Sequence, residues 1–152
     1  MSIRKTYRRT IRTLSHCYYD LKYHFVWIPK YRGKVLDDEK TRQELTRIFT
    51  SISKWKQMEI IELSIQIDHI HLVILSSPKY SPSYIIQIIK GKSSSWLKKK
   101  IRHNPKLYEK GSLWARGYFV STIGIDELII RRYVQHQHKH NQLDQPTLFP
   151  LT

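Results

Sequence analysis

Between Cys17 and Ile28 the chain alternates: Tyr19, Leu21, Tyr23, Phe25 and Trp27 fall on one side of an extended backbone, and Tyr18, Asp20, Lys22 and His24 on the other. A period of two closed by Pro29 predicts a strand with one buried face. From Asp37 to Lys56 the period changes, and Leu45, Ile48, Phe49, Ile52 and Trp55 recur at helical spacing with charges between them. That pattern predicts an amphipathic helix laid on a sheet. Alternation returns from Met58 to Asp68, with Ile61, Leu63, Ile65 and Ile67 opposite Glu62, Ser64 and Gln66. After a tight connection at Asp68, His69 to Leu75 is apolar on nearly both faces, as a strand central in a sheet would be. Ser76 to Pro82 is a turn-rich break. Residues 83–101 predict a lysine-studded helix beginning near Ser81 to Ser83, and 104–111 read as an irregular loop. Tyr118 to Ile123 predicts a fourth strand, followed by a helix capped by Asp126 with Glu127 near its positive end.

The predicted order, strand, helix, strand, strand, helix, strand, helix, is an α+β chain. Its βαββαβ part fits the ferredoxin-like antiparallel sheet with both helices on one face, and one C-terminal helix is added. With 152 residues, 40% of them hydrophobic, the chain has material for one core and one domain. Residues 16–141 are expected to form it, between a flexible basic arm at 1–15 and a tail at 142–152. The arm carries Arg4, Lys5, Arg8, Arg9 and Arg12 but no apolar run of a secretory signal. Cys17 is the only cysteine, so no intramolecular disulfide can form, and a cytoplasmic protein is expected.

Charge changes the picture most. Twenty-seven Lys and Arg stand against 12 Asp and Glu, a formal +15, which implies a polyanionic partner. No window approaches the roughly 20 apolar residues of a membrane span, so nucleic acid is the leading partner. Candidate phosphate contacts are Lys30, Arg32 and Lys34 in the basic loop after the first strand, and Lys90 and Lys92 on the second long helix. The triplet Gly91-Lys92-Ser93 looks like the end of a P-loop. That motif requires a glycine where Ile86 stands, and the triplet lies inside a helix, so a nucleotide cofactor is not expected.

Two short patterns carry candidate chemistry. His69 and His71 are two apart on a strand and share a face; Tyr133 and Gln137 are four apart on a helix and share another. Two imidazoles and an amide oxygen can ligate a divalent ion, Mg²⁺ or Mn²⁺, without neutralising it, which leaves it loosely held until a phosphate oxygen joins. Tyr133 would then be the nucleophile, conserving the phosphodiester energy in a phosphotyrosine. A packed pair of histidines and an ordinary amphipathic tyrosine are the plain alternatives. His136 and His140, an i, i+4 pair, could themselves bind a metal or replace Gln137.

The chain resembles the single-tyrosine HUH transposases of the insertion sequence 200/605 group. The resemblance spans about Tyr18 to His140. It rests on Tyr23-His24-Phe25-Val26-Trp27-Ile28-Pro29-Lys30-Tyr31-Arg32 with Lys34-Val35-Leu36, on Asp68-His69-Ile70-His71-Leu72 and on Lys90-Gly91-Lys92-Ser93-Ser94. It continues through Leu113-Trp114 and Gly117 to Gly124, and ends at Tyr133-Val134-Gln135-His136-Gln137. It implies a homodimer that cuts and rejoins single-stranded DNA at hairpin ends. In that role His69, His71 and Gln137 would be metal ligands, and Tyr133 the attacker that forms a 5′-phosphotyrosine. It also implies that the tyrosine helix of one subunit can complete the partner's site; the sequence leaves cis and trans placement open. A relative of the same chemistry acting on chromosomal repeat hairpins, or a non-catalytic single-strand-binding module, is the alternative.

Overall fold

The computed structural model describes residues 2–4, 11–30, 35–101, 112–122 and 127–143. The elements are β1 (Ser2–Arg4), β2 (Arg12–Leu14), β3 (Cys17–Tyr19), β4 (Leu21–Trp27), α1 (Glu39–Trp55), β5 (Glu59–Ile65), β6 (Ile70–Ser76), α2 (Pro82–Lys100), β7 (Phe119–Ser121) and α3 (Glu127–Leu143). Five strands form one antiparallel sheet in the order β1-β5-β6-β4-β7. Without β1 this is the expected ferredoxin-like order, and β6 is central, with all seven residues buried.

The helices begin and end where local chemistry dictates. Asp38 caps α1, accepting from the Lys40 amide at 3.4 Å and the Thr41 hydroxyl at 3.0 Å. Gln57 then takes a φ of 55°, and Met58 N donates to Ser53 O at 2.8 Å while Gln57 N donates to Lys54 O at 3.1 Å. That is a Schellman ending with glutamine in the left-handed position. Ser81 caps α2, whose first residue is Pro82.

One sheet face carries Phe25, Trp27, Leu63, Ile65, Ile70, Leu72 and Ile74, and these close on α1 (Leu45, Ile48, Phe49, Ile52) and α2 (Ile85, Ile86, Ile89, Leu97). The opposite face is smaller. There Val26 and Ile28 pack with Ala115, Phe119 and the α3 residues Ile130, Tyr133 and Val134.

The structure departs from the sequence expectations in five places. The expected first strand is two, because the chain changes partner at Asp20: β3 pairs β2, whereas β4 pairs β6 and β7. Alternation records facing, not partner, and runs unbroken across the switch. Two segments of the basic arm are strands, β1 on the sheet edge and β2 in a hairpin with β3. In β5 a bulge puts Ile61 and Glu62 both opposite Val73, so Ile61 leaves the face of Leu63 and Ile65 and joins Val73 and Leu75. The fourth strand is only Phe119–Ser121, and α3 runs to Leu143, past the expected start of the tail. The Asp126 cap, the loop at 104–111 and the chain beyond 143 lie outside the described residues.

Candidate active site

Both histidines of the strand motif lie on the α3 side of the sheet. His71, in β6, is register partner of Val26 and of Ser64. His69 sits just before β6, where its carbonyl accepts from Gln66 N at 2.9 Å to close the β5–β6 hairpin. The two-residue period puts it on the face of His71. Each imidazole has a carboxylate at Nδ1: Asp68 Oδ1 at 2.8 Å for His69, and Glu62 Oε1 at 3.7 Å for His71. The 2.8 Å contact favours the His69 tautomer that keeps Nε2 available as a metal donor, and Glu62 lies on the same side of His71 at ion-pair distance. Sequence reasoning had not singled out Asp68 or Glu62. Their signal was position, one beside His69 in the hairpin and one on the neighbouring strand.

α3 supplies the other half. Tyr133 is 2% exposed and packs among Val26, Ile28, Ala115, Ile130 and Val134, its ring 6.0 Å from that of Phe119. Val26 is the cross-strand partner of His71, so the tyrosine's own cluster borders the histidine strand. Burial pushes the Tyr133 phenol well above its ordinary pKa. One turn later Gln137 lies against Gly117: a Cβ placed on that glycine would stand 3.4 Å from Gln137 Nε2. Gly117 has φ +91°, a conformation that glycine adopts freely. His136 and His138 are half-buried, and the side chain of His140 lies outside the described ones.

His24 joins this face unannounced. Alternation assigned it to a polar side, yet it is 2% exposed, and its ring lies 6.2 Å from that of His71 at an interplanar angle of 27°. Burial lowers its pKa, with the neighbouring His71 adding to the effect. Burial of such a β4 position depends on what packs over this face of the sheet, α3 among it, and period alone does not report that.

The donor set suits a divalent cation. Among the described residues no three His, Cys, Asp or Glu side chains come together as a metal cluster, so two imidazoles here would need an amide or a substrate oxygen as further donor. Gln137 is the amide on this face.

The basic candidates divide. Lys30 is exposed at the end of β4, its amide donating to Leu113 O at 2.9 Å. Lys92 is exposed on α2, in the helix layer, 5.8 Å from the ring of Trp55. Lys90 is half-buried, and its ammonium donates to the carbonyls of Ala115 at 2.8 Å and Gly117 at 2.9 Å. Its ammonium is thus engaged by the chain's own backbone, where a phosphate contact was expected. Burial brings its pKa down to about 8, against two carbonyls that favour the charged form. Arg32 and Lys34 lie outside the described residues.

The two serines of the Lys90 to Ser94 block are structural. Ser93 Oγ accepts from Trp114 Nε1 at 2.9 Å, and Ser94 Oγ accepts from Leu113 N at 2.9 Å. Together with Lys90 they fasten residues 113–117 to α2.

The α+β sheet carries His71 in its central strand and His69 just before it, with Tyr133 and Gln137 on α3. Comparison with known proteins gives the class, a DNA-processing enzyme of the transposase kind. Residues 17–137 match the family described as IS200-like transposase. The transposase for insertion sequence element IS200 of Salmonella typhimurium LT2 is 32% identical over 139 residues, 91% of each chain. The ISDra2 transposase TnpA of Deinococcus radiodurans is 30% identical over 124 residues, 79% of this chain and 86% of that one. A Deinococcus radiodurans R1 crystal structure assigned as a transposase superposes with a TM-score of 0.67 at 27% identity, over 78% of this chain and 92% of the other. A REP-associated tyrosine transposase bound to a REP hairpin shares the fold, with a TM-score of 0.51 at 15% identity over 92% and 73% of the two chains. The chain belongs to the IS200-like transposase family. Among the described residues no helix is long and apolar enough to cross a membrane.

Proposed function

We propose that this transposase cuts and rejoins single-stranded DNA at hairpin ends through a 5′-phosphotyrosine on Tyr133. The observation that carries the reading is the convergence on one sheet face of His69 and His71 from the β5–β6 hairpin with Tyr133 and Gln137 from α3.

In this reading Tyr133 Oη attacks the scissile phosphorus, the bond from phosphorus to the 3′ oxygen breaks, and the 3′-hydroxyl leaves with a proton. The 5′ phosphate stays on the tyrosine, and a different 3′-hydroxyl can reverse the step and rejoin the strand without an energy source. His69, His71 and Gln137 are the residues that would hold Mg²⁺ or Mn²⁺, which when bound polarises the scissile phosphate as a Lewis acid. The carboxylates of Asp68 and Glu62 orient the two imidazoles. Val26, Ile28, Phe119 and Val134 exclude water around the phenol, which stays protonated until a phosphate and its cations reach the hydroxyl. Lys30 supplies phosphate affinity at the open end of β4. The functional unit is a homodimer in which Tyr133 serves its own or the partner's site.

The test is covalent. Labelled single-stranded hairpin DNA incubated with the protein and Mn²⁺ should give a denaturant-resistant adduct, and Tyr133→Phe should abolish it. An adduct that survives that substitution overturns the assignment, and binding with no adduct at all supports a non-catalytic single-strand-binding module.

A further inference from the structure

Lys90 belongs to α2, across the sheet from α3, yet its ammonium reaches the backbone strip that borders the candidate site. That strip runs beside β4: Ala115 N donates to Ile28 O at 3.0 Å, Trp114 bridges Pro29, and Phe119 pairs with Val26. Val26 and Ile28, just past the end of β4, are two residues apart, whereas Ala115 and Phe119 are four apart, so residues 116–118 must bulge. Gly117 lies in the bulge at φ +91°. Its carbonyl is taken by Lys90 Nζ at 2.9 Å, and its open Cα side faces the Gln137 amide, at 3.4 Å from the place of a Cβ.

We infer that Lys90 is a positioning residue for Gln137: by clamping the carbonyls of Ala115 and Gly117 it fixes the bulge against which the Gln137 amide rests. A phosphate-binding lysine gains nothing from burial, and this one is withdrawn from the exposed lysines of its helix to serve two carbonyls of one loop. An ammonium can hold both, because it has three donors in a compact head. A methionine at 90 would fill much of the same space and hold neither. Gln137 would then have rotamer freedom that a ligand-holding amide must not have.

The inference rests on the reading of Gln137 as a metal-holding residue. Mn²⁺ alone, titrated into the full-length protein and followed by electron paramagnetic resonance, tests both. Lys90→Met should weaken Mn²⁺ binding about 10-fold, the order expected when a residue supporting a ligand is lost. Gln137→Ala should weaken it at least as much, and adding Lys90→Met to Gln137→Ala should cost little more, because the lysine acts through the glutamine. Unchanged affinity in Lys90→Met, or losses that multiply in the double variant, overturns the inference while leaving the metal reading intact. If His71→Ala also leaves Mn²⁺ binding unchanged, the metal reading itself falls. Should Lys90→Met not fold, Gly117→Ala strains the same bulge from the other side and must reproduce the loss.

Discussion

The buried hydroxyl of Tyr133 and the half-buried amide of Gln137 sit one helical turn apart, and their surroundings assign them unlike tasks. A phenol whose pKa burial has raised cannot be a standing phenolate, so its reactivity has to arrive with the substrate. The histidines need no such activation, since a neutral imidazole with its Nδ1 facing a carboxylate is already a donor. His69→Ala and His71→Ala should therefore each abolish strand cleavage yet leave affinity for single-stranded DNA within about threefold. Two rings add little beside 27 Lys and Arg to the phosphate attraction that dominates binding. Cleavage gels and fluorescence anisotropy on the same preparations check this, and joint loss of binding and of the folded circular-dichroism signal would make the pair structural. The spacing of these four residues was legible in the sequence because periods of two and four report facing directly. His24 was not legible, because its burial depends on which element covers the second face of the sheet.

Among the elements, α2 does more than cover the sheet. Lys90, Ser93, Ser94 and Leu97 recur at helical spacing, and the first three fasten residues 113–117 while the last enters the core. Ser93→Ala would leave the Trp114 indole N–H buried without its acceptor and should cost about 1–3 kcal/mol in a urea titration. Lys90 adds a pH dependence. Its pKa is about 8 in the folded chain against 10.5 for the free side chain, so the unfolded state binds more protons between those values. Stability owed to this group is therefore withheld below pH 8 and gained as pH rises toward 10.5. Denaturation at pH 7.5 and pH 10 should show the parent protein gaining on Lys90→Met at the higher pH, and a constant difference would contradict the shift. Long, strongly periodic elements such as α1 and β6 were legible in outline. The short strands β1 and β2 were not, since three residues carry no period and their stability comes from β5 and β3. The bulge at Ile61 was hidden for the opposite reason: the run Ile61, Leu63, Ile65 keeps perfect alternation in sequence, while the pairing skips Ile61 and sets Ile60 and Glu62 opposite the adjacent Ile74 and Val73.

At the scale of the whole molecule, +15 of formal charge guarantees attraction to DNA but does not say which surface the strand follows. The fold narrows the choice by separating two exposed lysines, one past the end of β4 and one on α2. Lys30 is exposed at the end of β4, beyond Ile28, on the way to the face that bears the histidines and Tyr133. Lys92 is exposed in the helix layer, with Lys56 also over the Trp55 ring, at 4.1 Å. Each phosphate neutralised on a single strand contributes about 0.7 to the slope of log affinity against log salt. If the scissile strand crosses the α3 face, Lys30→Ala should flatten that slope by about 0.7, whereas Lys92→Ala should leave it unchanged, both measured by anisotropy from 50 to 300 mM salt. Equal flattening by the two substitutions would mean that the strand also wraps the α1–α2 layer. The exposed indole of Trp55, with two ammonium groups near its ring, would then be the surface on which an unpaired base lies.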